Sequence, residues 1–196
     1  MTVENIKAYY NTKPQLPEVG SLIDVEDFTV PEVKIDGITF KKVEVKNEKL
    51  RVVDVNNNRA IVCFEHILFN SEISESDIEY FTESTLYKYL EEHFLPASKI
   101  IAEIGLLSAY EIFGDSDEFI PETSMFDENP KQFDYFKTCR NRIFTNKEEK
   151  ESFWYWTSSR AKTLAASYFC YGSHYGYANC NRASSSGGVS PAFKIC

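Results

Sequence analysis

Residues 167–188 read SYFCYGSHYGYANCNRASSSGG, and how this run is read decides the fold. Fifteen of its 22 residues are Tyr, Ser, Gly or Asn. That is the composition of a paratope, where tyrosine gives large contact area at low rotamer cost and Ser, Gly and Asn give adaptable hydrogen bonds. The aromatics are interrupted by Gly, Ser, His, Asn and Arg, without the alternation of apolar and polar positions that marks a strand. The residues that follow, GVSPAFKIC at 188–196, have the apolar spacing of a strand that returns to the core. The run is therefore expected to be a loop tethered at both ends, with its tyrosines presented and not collapsed.

Working outward, the 45 residues after Glu151 contain no Asp or Glu. All 30 acidic residues and 17 of the 21 basic ones precede residue 152, a formal charge of −13, against +4 from Arg160, Lys162, Arg182 and Lys194. The net charge of −9 argues against nucleic acid and anionic membrane as partners, since both need a basic face. No apolar run approaches the roughly 18 residues of a membrane span, so no membrane insertion is expected. The opening MTVENIKAYYNTKPQLPEVG lacks the basic-then-apolar layout of a secretory signal. Hydrophobic content of 43% and aromatic content of 15% are those of a folded chain. A length of 196 residues supports one substantial core, divided here into a lead-in over 1–35 and a ligand-binding domain over 36–196.

Within the lead-in, Val3 to Tyr10 reads as a short helix. Ile38 to Val45 alternates as a strand. Leu50 to Val55 and Arg59 to Phe64 flank three asparagines that tolerate left-handed backbone, which predicts a hairpin. Leu86, Tyr89, Leu90 and Phe94 recur at helical spacing, predicting a helix over Thr82 to Phe94 that Pro96 stops. Ile100 to Leu107 reads as a buried strand leading into a capping box at Ser108 to Glu111, and Gly114 ends the short helix. Asp115 to Pro130 is acidic and loop-like, and Phe133 to Phe144 reads as a further helix or a mixed segment. FWYWT at Phe153 to Thr157 is strand-forming and assigned to the core, with further strands near Ala165 to Tyr171 and Ala192 to Ile195.

Five cysteines, at 63, 139, 170, 180 and 196, are odd in number and irregular in spacing, so they make no disulfide framework. Cys63, in AIVCF, reads as a small buried hydrophobe. Cys170 and Cys180 are near enough to pair across a loop, with thiols as the default. His66, His93 and His174 lie far apart without metal-ligand spacing, and no C-x-x-C, G-x-S-x-G, P-loop or dinucleotide pattern occurs. No catalytic residue, metal or cofactor is expected. Between Ala165 and Ser190 there is no Lys, Glu, Gln, Met, Trp or Asp. Apart from Asp, these are the types that changing the adenines of an asparagine codon cannot produce, while the abundant types all can be so produced.

The order RVVDVNNNRAIVCFEHILFN, YKYLEEHFL, IGLLSAYEIFG, RNRI, FWYWTSS and GVSPAFKIC resembles a bacterial and phage family of C-type-lectin-fold domains. The closing segments of that family look like W-W-L-R-S and G-V-R-P-A-F, and the resemblance spans residues 38 to 196. The wider fold includes the variable proteins of diversity-generating retroelements and is similar to formylglycine-generating enzymes. The resemblance implies an α+β domain with the C-type lectin fold, made of short antiparallel strands, two main helices and long loops. It also implies a hypervariable ligand-binding surface near the C-terminus. Thr157 and Ser190 stand where arginines are usual in the family, and the calcium and sugar motifs of animal C-type lectins are missing.

The leading expectation is a non-enzymatic binding protein for a protein or cell-surface receptor, set on a phage tail or a cell surface. Multivalent display would strengthen weak single contacts. The expected contact residues are Tyr168, Cys170, Tyr171, Ser173, His174, Tyr175, Tyr177, Asn179, Asn181, Arg182 and Ser184, with Phe169 able to point inward instead. The competing expectations are a copper-dependent oxidase of formylglycine-generating type using the Cys170 and Cys180 thiolates, and a fixed structural module of a virion or surface protein.

Overall fold

The 167–188 run pairs with itself and with its neighbours, which moves the balance of the chain toward strand. The computed structural model describes residues 16–56, 59–115, 124–126, 130–148, 150–165 and 167–195. The expected helix at Val3 to Tyr10, the centre of the asparagine turn and most of the acidic 115–130 segment lie outside the described residues.

In chain order the strands are β1 (Leu22–Asp24), β2 (Phe28–Val30), β3 (Val33–Ile35), β4 (Ile38–Phe40), β5 (Val43–Val45), β6 (Lys49–Asn56), β7 (Arg59–Phe64) and β8 (His66–Ile67). They continue as β9 (Phe69–Ser71), β10 (Glu103–Gly105), β11 (Thr145–Asn146), β12 (Tyr155–Arg160), β13 (Tyr168–Gly172), β14 (Ala178–Arg182), β15 (Gly187–Val189) and β16 (Ala192–Ile195). The first sheet is antiparallel throughout, in the order β1-β6-β7-β16-β10. The second runs β14-β13-β12-β15-β9, with β12 and β15 parallel. Ser190 and Pro191 carry the chain from the second sheet to the first. There the Ser190 hydroxyl donates to the Phe64 carbonyl at 2.9 Å, and the Phe64 amide donates to the Pro191 carbonyl at 3.1 Å.

The expected α+β arrangement of C-type lectin type, with two main helices, is overturned. Strand makes up 39% against 18% helix, and one helix dominates, so the fold is mainly β. That helix, α1, covers residues 85–98 and is capped by Ser84, whose hydroxyl accepts from the Tyr87 amide at 3.0 Å. It passes through Pro96 instead of stopping there. Leu90–Phe94 form a wider π turn in which the Leu95 amide bonds five residues back to Leu90. The widening relieves the clash a proline ring makes with the carbonyl four residues before it.

The second helix, α2 (Ala109–Phe113), carries the expected capping box of Ser108 and Glu111 but ends after little more than a turn at Gly114. Residues 134–142 form two 3-10 turns and no α-helix. Side chains have taken the carbonyls a helix would use: Asn141 Nδ2 donates to Tyr135 at 2.7 Å and Arg142 Nε to Phe136 at 2.7 Å.

The strand expected over Ile38 to Val45 is two, which pair with different partners. Asp36 and Gly37, at φ 46 and 95, close a tight hairpin between β3 and β4, and β5 turns away to β2. The described part of the 1–35 lead-in is not an appendage either. β1 is the edge of the first sheet, and Ile23 and Val30 sit in the main core at 2% and 0% exposure.

Phe94 is the hub of that core. Its ring lies 5.3 Å from Phe28, 6.0 Å from Phe64 on β7 and 6.1 Å from Phe69 on β9, so one side chain of α1 touches both large sheets. Phe193 on β16 packs edge-on to Phe64 at 5.8 Å, and Tyr89 stacks on Phe40 at 4.1 Å. A buried phenylalanine in this setting contributes about 3–5 kcal/mol against alanine.

Glu48 ties the turn before β6 to the far side of the molecule. Its buried carboxylate meets His66 Nδ1 at 3.0 Å and Lys147 Nζ at 3.1 Å, and Lys147 also donates to the Asn47 carbonyl at 2.9 Å. Burial alone would push this carboxyl up, but the His66 and Lys147 bonds outweigh it and hold it below the usual range. The unfolded chain therefore takes up the proton first. The stability supplied by ionised Glu48 is full above about pH 4.3 and is lost as pH falls through the lower folded value. Glu48→Gln is expected to be less stable than the parent at neutral pH, yet to lose less on going from about pH 5 to about pH 3. Denaturant titrations at stepped pH check this, and equal acid slopes for the two proteins would contradict it.

Candidate binding surface

β13 and β14 form a hairpin in which Cys170 faces Cys180, Tyr171 faces Asn179 and Tyr168 faces Arg182. The Ser173 amide donates to the Tyr177 carbonyl at 2.8 Å, and the Ala183 amide to the Ser167 carbonyl at 2.7 Å. Ladder bonds alternate along an antiparallel pair, so the pairs 169/181 and 171/179 are the hydrogen-bonded ones and 168/182, 170/180 and 172/178 are not.

β13 is packed on both sides. On one, Phe169 is fully buried in the main core and the Tyr171 ring lies 4.9 Å from Trp154 and 6.4 Å from Trp156. On the other, Cys170 is fully buried in a small cluster with Ala109 and Ala161, against which Tyr110, Phe113, Tyr168, Ala178 and Cys180 pack. Between β12 and β13 the register shifts after Trp156, and the buried Thr157 hydroxyl donates to the Cys170 carbonyl at 2.8 Å. Glycine at 187 is required by the neighbouring rings, because a Cβ there would strike Trp154 and would lie 2.7 Å from the Trp156 indole nitrogen.

Beyond the strands the tip is propped from below. The Gly176 amide donates to the Ser173 carbonyl at 2.9 Å, and the Ser173 hydroxyl accepts from the Tyr177 amide at 3.1 Å. Gly176 has φ +80 and a notional Cβ only 2.9 Å from the Cys139 carbonyl, so the tip rests closely on the 3-10 turn at Cys139–Arg142. On this support Tyr175 and Tyr177 are 67% and 66% exposed, and the exposed His174 ring leans on Tyr175 at 3.9 Å.

β14 is the outer strand of its sheet, with the backbone of residues 178, 180 and 182 pointing away from β13. Two of those outward amides are taken internally: Asn179 Oδ1 accepts from Cys180 at 2.8 Å and Asn181 Oδ1 from Arg182 at 2.9 Å. Covering two of the three edge amides in this way blunts the template on which another strand would add. Arg182 Nε donates to the Tyr168 hydroxyl at 3.1 Å, a bond that pushes the guanidinium value higher still, and its charge lies 5.9 Å from that ring. Burial, with Cys180 acting in the same direction, pushes the Tyr171 hydroxyl up, so it stays neutral at physiological pH.

Of the sequence-predicted contact residues, His174, Tyr175, Tyr177, Asn179, Arg182 and Ser184 are exposed, and Tyr168, Tyr171, Ser173 and Asn181 are half-buried. Cys170 is corrected: it lies in the second cluster under α2 and meets no solvent. The tethered loop is corrected too, since it is two strands of a hairpin followed by β15. Phe153, assigned to the core from sequence, belongs to the surface, while Trp154 is half-buried and packs against the main core. Phe153 is 38% exposed and stacked 6.0 Å from the half-buried Trp154, which extends the aromatic strip past Tyr171. Their position follows from the strand starting only at Tyr155, a boundary the aromatic run does not mark.

A separate cleft of about 230 Å³ is lined by Arg51, Cys63, His66, Tyr135 and Asn141 among others. Two of its polar groups are already paired: Arg51 with Glu65, which also lines the cleft, and with the Gly20 carbonyl, and His66 with Glu48. Burial pushes the Cys63 thiol up to about 12, which leaves it without nucleophilic character at neutral pH. Among the described residues no group of three or more His, Cys, Asp and Glu is placed to hold a metal ion. Nor is any described helix long and apolar enough to cross a membrane.

No curated protein and no solved structure matches this chain. A family match covers residues 73–196, which takes in α1, α2 and every strand from β10 to β16, while β1 to β9 lie upstream and complete both large sheets. On that match, which spans well over half its length, the chain belongs to the family described as Domain of unknown function (DUF6273).

Proposed function

We propose that this protein is a non-enzymatic binding protein that docks a protein partner on the β13–β14 hairpin, with Tyr175, Tyr177 and His174 at the tip and Arg182 at the base. The observation that carries this reading is the pair of tyrosines about two-thirds exposed on a hairpin whose backbone is fixed from beneath. Large exposed aromatics on a rigid support are the residues that dominate interface energies, since little ordering remains to be done on contact. Residues 168–182 carry Arg182 as their one formal charge and no carboxylate, which favours a partner surface bearing carboxylates at that end. Because Asn179 and Asn181 cover two of the three outward amides, the partner is met by side chains more than by strand addition.

The adenine-compatible composition of the window supports diversification by a retroelement, in the setting of a phage tail or a cell surface. Variation compatible with this fold falls on positions 173–175, 177, 179, 181, 182 and 184, whereas Tyr171 is held against Trp154. Phe169, Cys170, Gly172, Gly176, Ala183 and Val189 stay fixed because they are buried. Sequencing the 3′ end of the gene across one population tests the reading. Substitutions concentrated at the first set support it, whereas an invariant window, or changes spread evenly over both sets, would count against it.

Two sets of variants probe the surface itself. Replacing Tyr175 and Tyr177 together by Ala is expected to alter the unfolding free energy by less than about 0.5 kcal/mol. Tyr171→Ala strips a ring from Trp154 and costs about 2 kcal/mol. Denaturant unfolding separates the two, and a large loss in the tip variant would make those rings structural. Replacing Asn179 and Asn181 by Ala bares the outward amides of Cys180 and Arg182. Sedimentation is expected to show concentration-dependent self-association beyond that of the parent, and unchanged sedimentation would remove the capping role.

A further inference from the structure

We infer that Cys170 and Cys180 are an oxidative modification site: they close a cross-strand disulfide by exchange with a low-molecular-weight disulfide of the glutathione type, and this bond stiffens the display hairpin. Both are thiols in this structure, with their Sγ atoms 3.0 Å apart. They are direct cross-strand partners at a position without ladder hydrogen bonds. Such pairs bring their Cα atoms to about 4.5 Å, at the close end of the range of about 4.4–6.8 Å that a disulfide spans. No backbone movement is needed for the bond to form.

Exposure sets the order of events. Cys180 is half-buried on the edge strand and within reach of a small reagent, while Cys170 is fully buried beneath it. The Cys180 thiolate attacks one sulfur of the reagent, forming a mixed disulfide and releasing one thiolate. The Cys170 thiolate then attacks Cys180 Sγ, breaking the mixed disulfide and releasing the second. Two protein thiols are oxidised and one reagent disulfide is reduced to two thiols, which take up the two protons that the cysteines lose. Of the other described cysteines, Cys63 is buried in a different cluster, and Cys139, though exposed, sits by the Tyr175 and Gly176 carbonyls at the hairpin tip and not across the ladder from Cys180.

The mechanical effect follows from which strands are joined. β14 has a neighbour on one side only, so its attachment is the ladder to β13 together with the turns at each end. A covalent link at the middle rung holds the edge strand to a β13 buried on both faces, and so fixes the spacing of Tyr177, Asn179 and Arg182. The significance of that stiffening rests on the hairpin being the binding surface, but formation of the bond does not.

The full chain is equilibrated in glutathione buffers from fully reduced to fully oxidised, denatured in N-ethylmaleimide and digested with trypsin. Both cysteines fall in the peptide 163–182. In oxidising buffer that peptide is expected to be two hydrogens lighter and free of adducts, and Cys180→Ser should abolish the change. A peptide still carrying two adducts in fully oxidised glutathione would overturn the site. Amide hydrogen exchange of residues 168–182 is then compared between the two forms. Slowing of about tenfold in the oxidised form is expected, and unchanged rates would overturn the stiffening while leaving the bond. Neither readout contains a partner, so both stand or fall separately from the proposed binding function.

Discussion

β13 is gripped from two directions, and the rest of the exposed surface depends on that grip. Phe169 enters the core shared by α1 and the two large sheets, and Cys170, the next residue, enters the cluster under α2. A slip of one residue would exchange these side chains between unlike sites, so the register of the strand is fixed by packing and not by its turn alone. Every residue of β14 inherits its position from this neighbour. Side chains that look interchangeable in sequence thereby acquire separate roles: Tyr171 leans on Trp154 as part of the structure, while Tyr175 and Tyr177 stand clear of it.

The surface is also defined by what covers it. Asparagine side chains occupy two of the three outward amides of β14, and the Tyr168 hydroxyl engages Arg182. What is left open is aromatic ring and hydroxyl, with no carboxylate from the segment itself. Such a surface makes contact through shape and directional hydrogen bonds, and its charge guides approach more than it adds to affinity.

Much of the scaffold was legible in the sequence where a local cause is sufficient. The β6–β7 hairpin follows from two apolar runs around an asparagine turn, and the start of α2 from Ser108 and Glu111 reaching for each other's amides. The spacing of Leu86, Tyr89, Leu90 and Phe94 marks α1, though its passage through Pro96 depends on a π turn that no periodicity announces. β14 was illegible because an outer strand with half-exposed side chains has no apolar alternation to show. β15 was illegible for the opposite reason: its paired glycines read as loop, and only the two indoles over Gly187 and the Ile67 side chain and Trp154 carbonyl over Gly188 explain why nothing larger fits. Of the expected contact residues, Cys170 was misplaced because its covering partner, α2, comes some 60 residues earlier in the chain, beyond the reach of any local pattern.

The position of β16 ties completion of the scaffold to translation through the hairpin that precedes it. This strand follows the hairpin in sequence yet lies in the interior of the first sheet, bonded to β7 on one side and β10 on the other. During synthesis the two halves of that sheet wait, unjoined, until everything between them has left the ribosome. A frameshift or premature stop within residues 167–188 therefore does more than alter the hairpin: it deletes the bridging strand and leaves a chain that cannot complete its fold. Only a chain read through in frame completes the first sheet, so an intact hairpin and an intact scaffold come together or not at all.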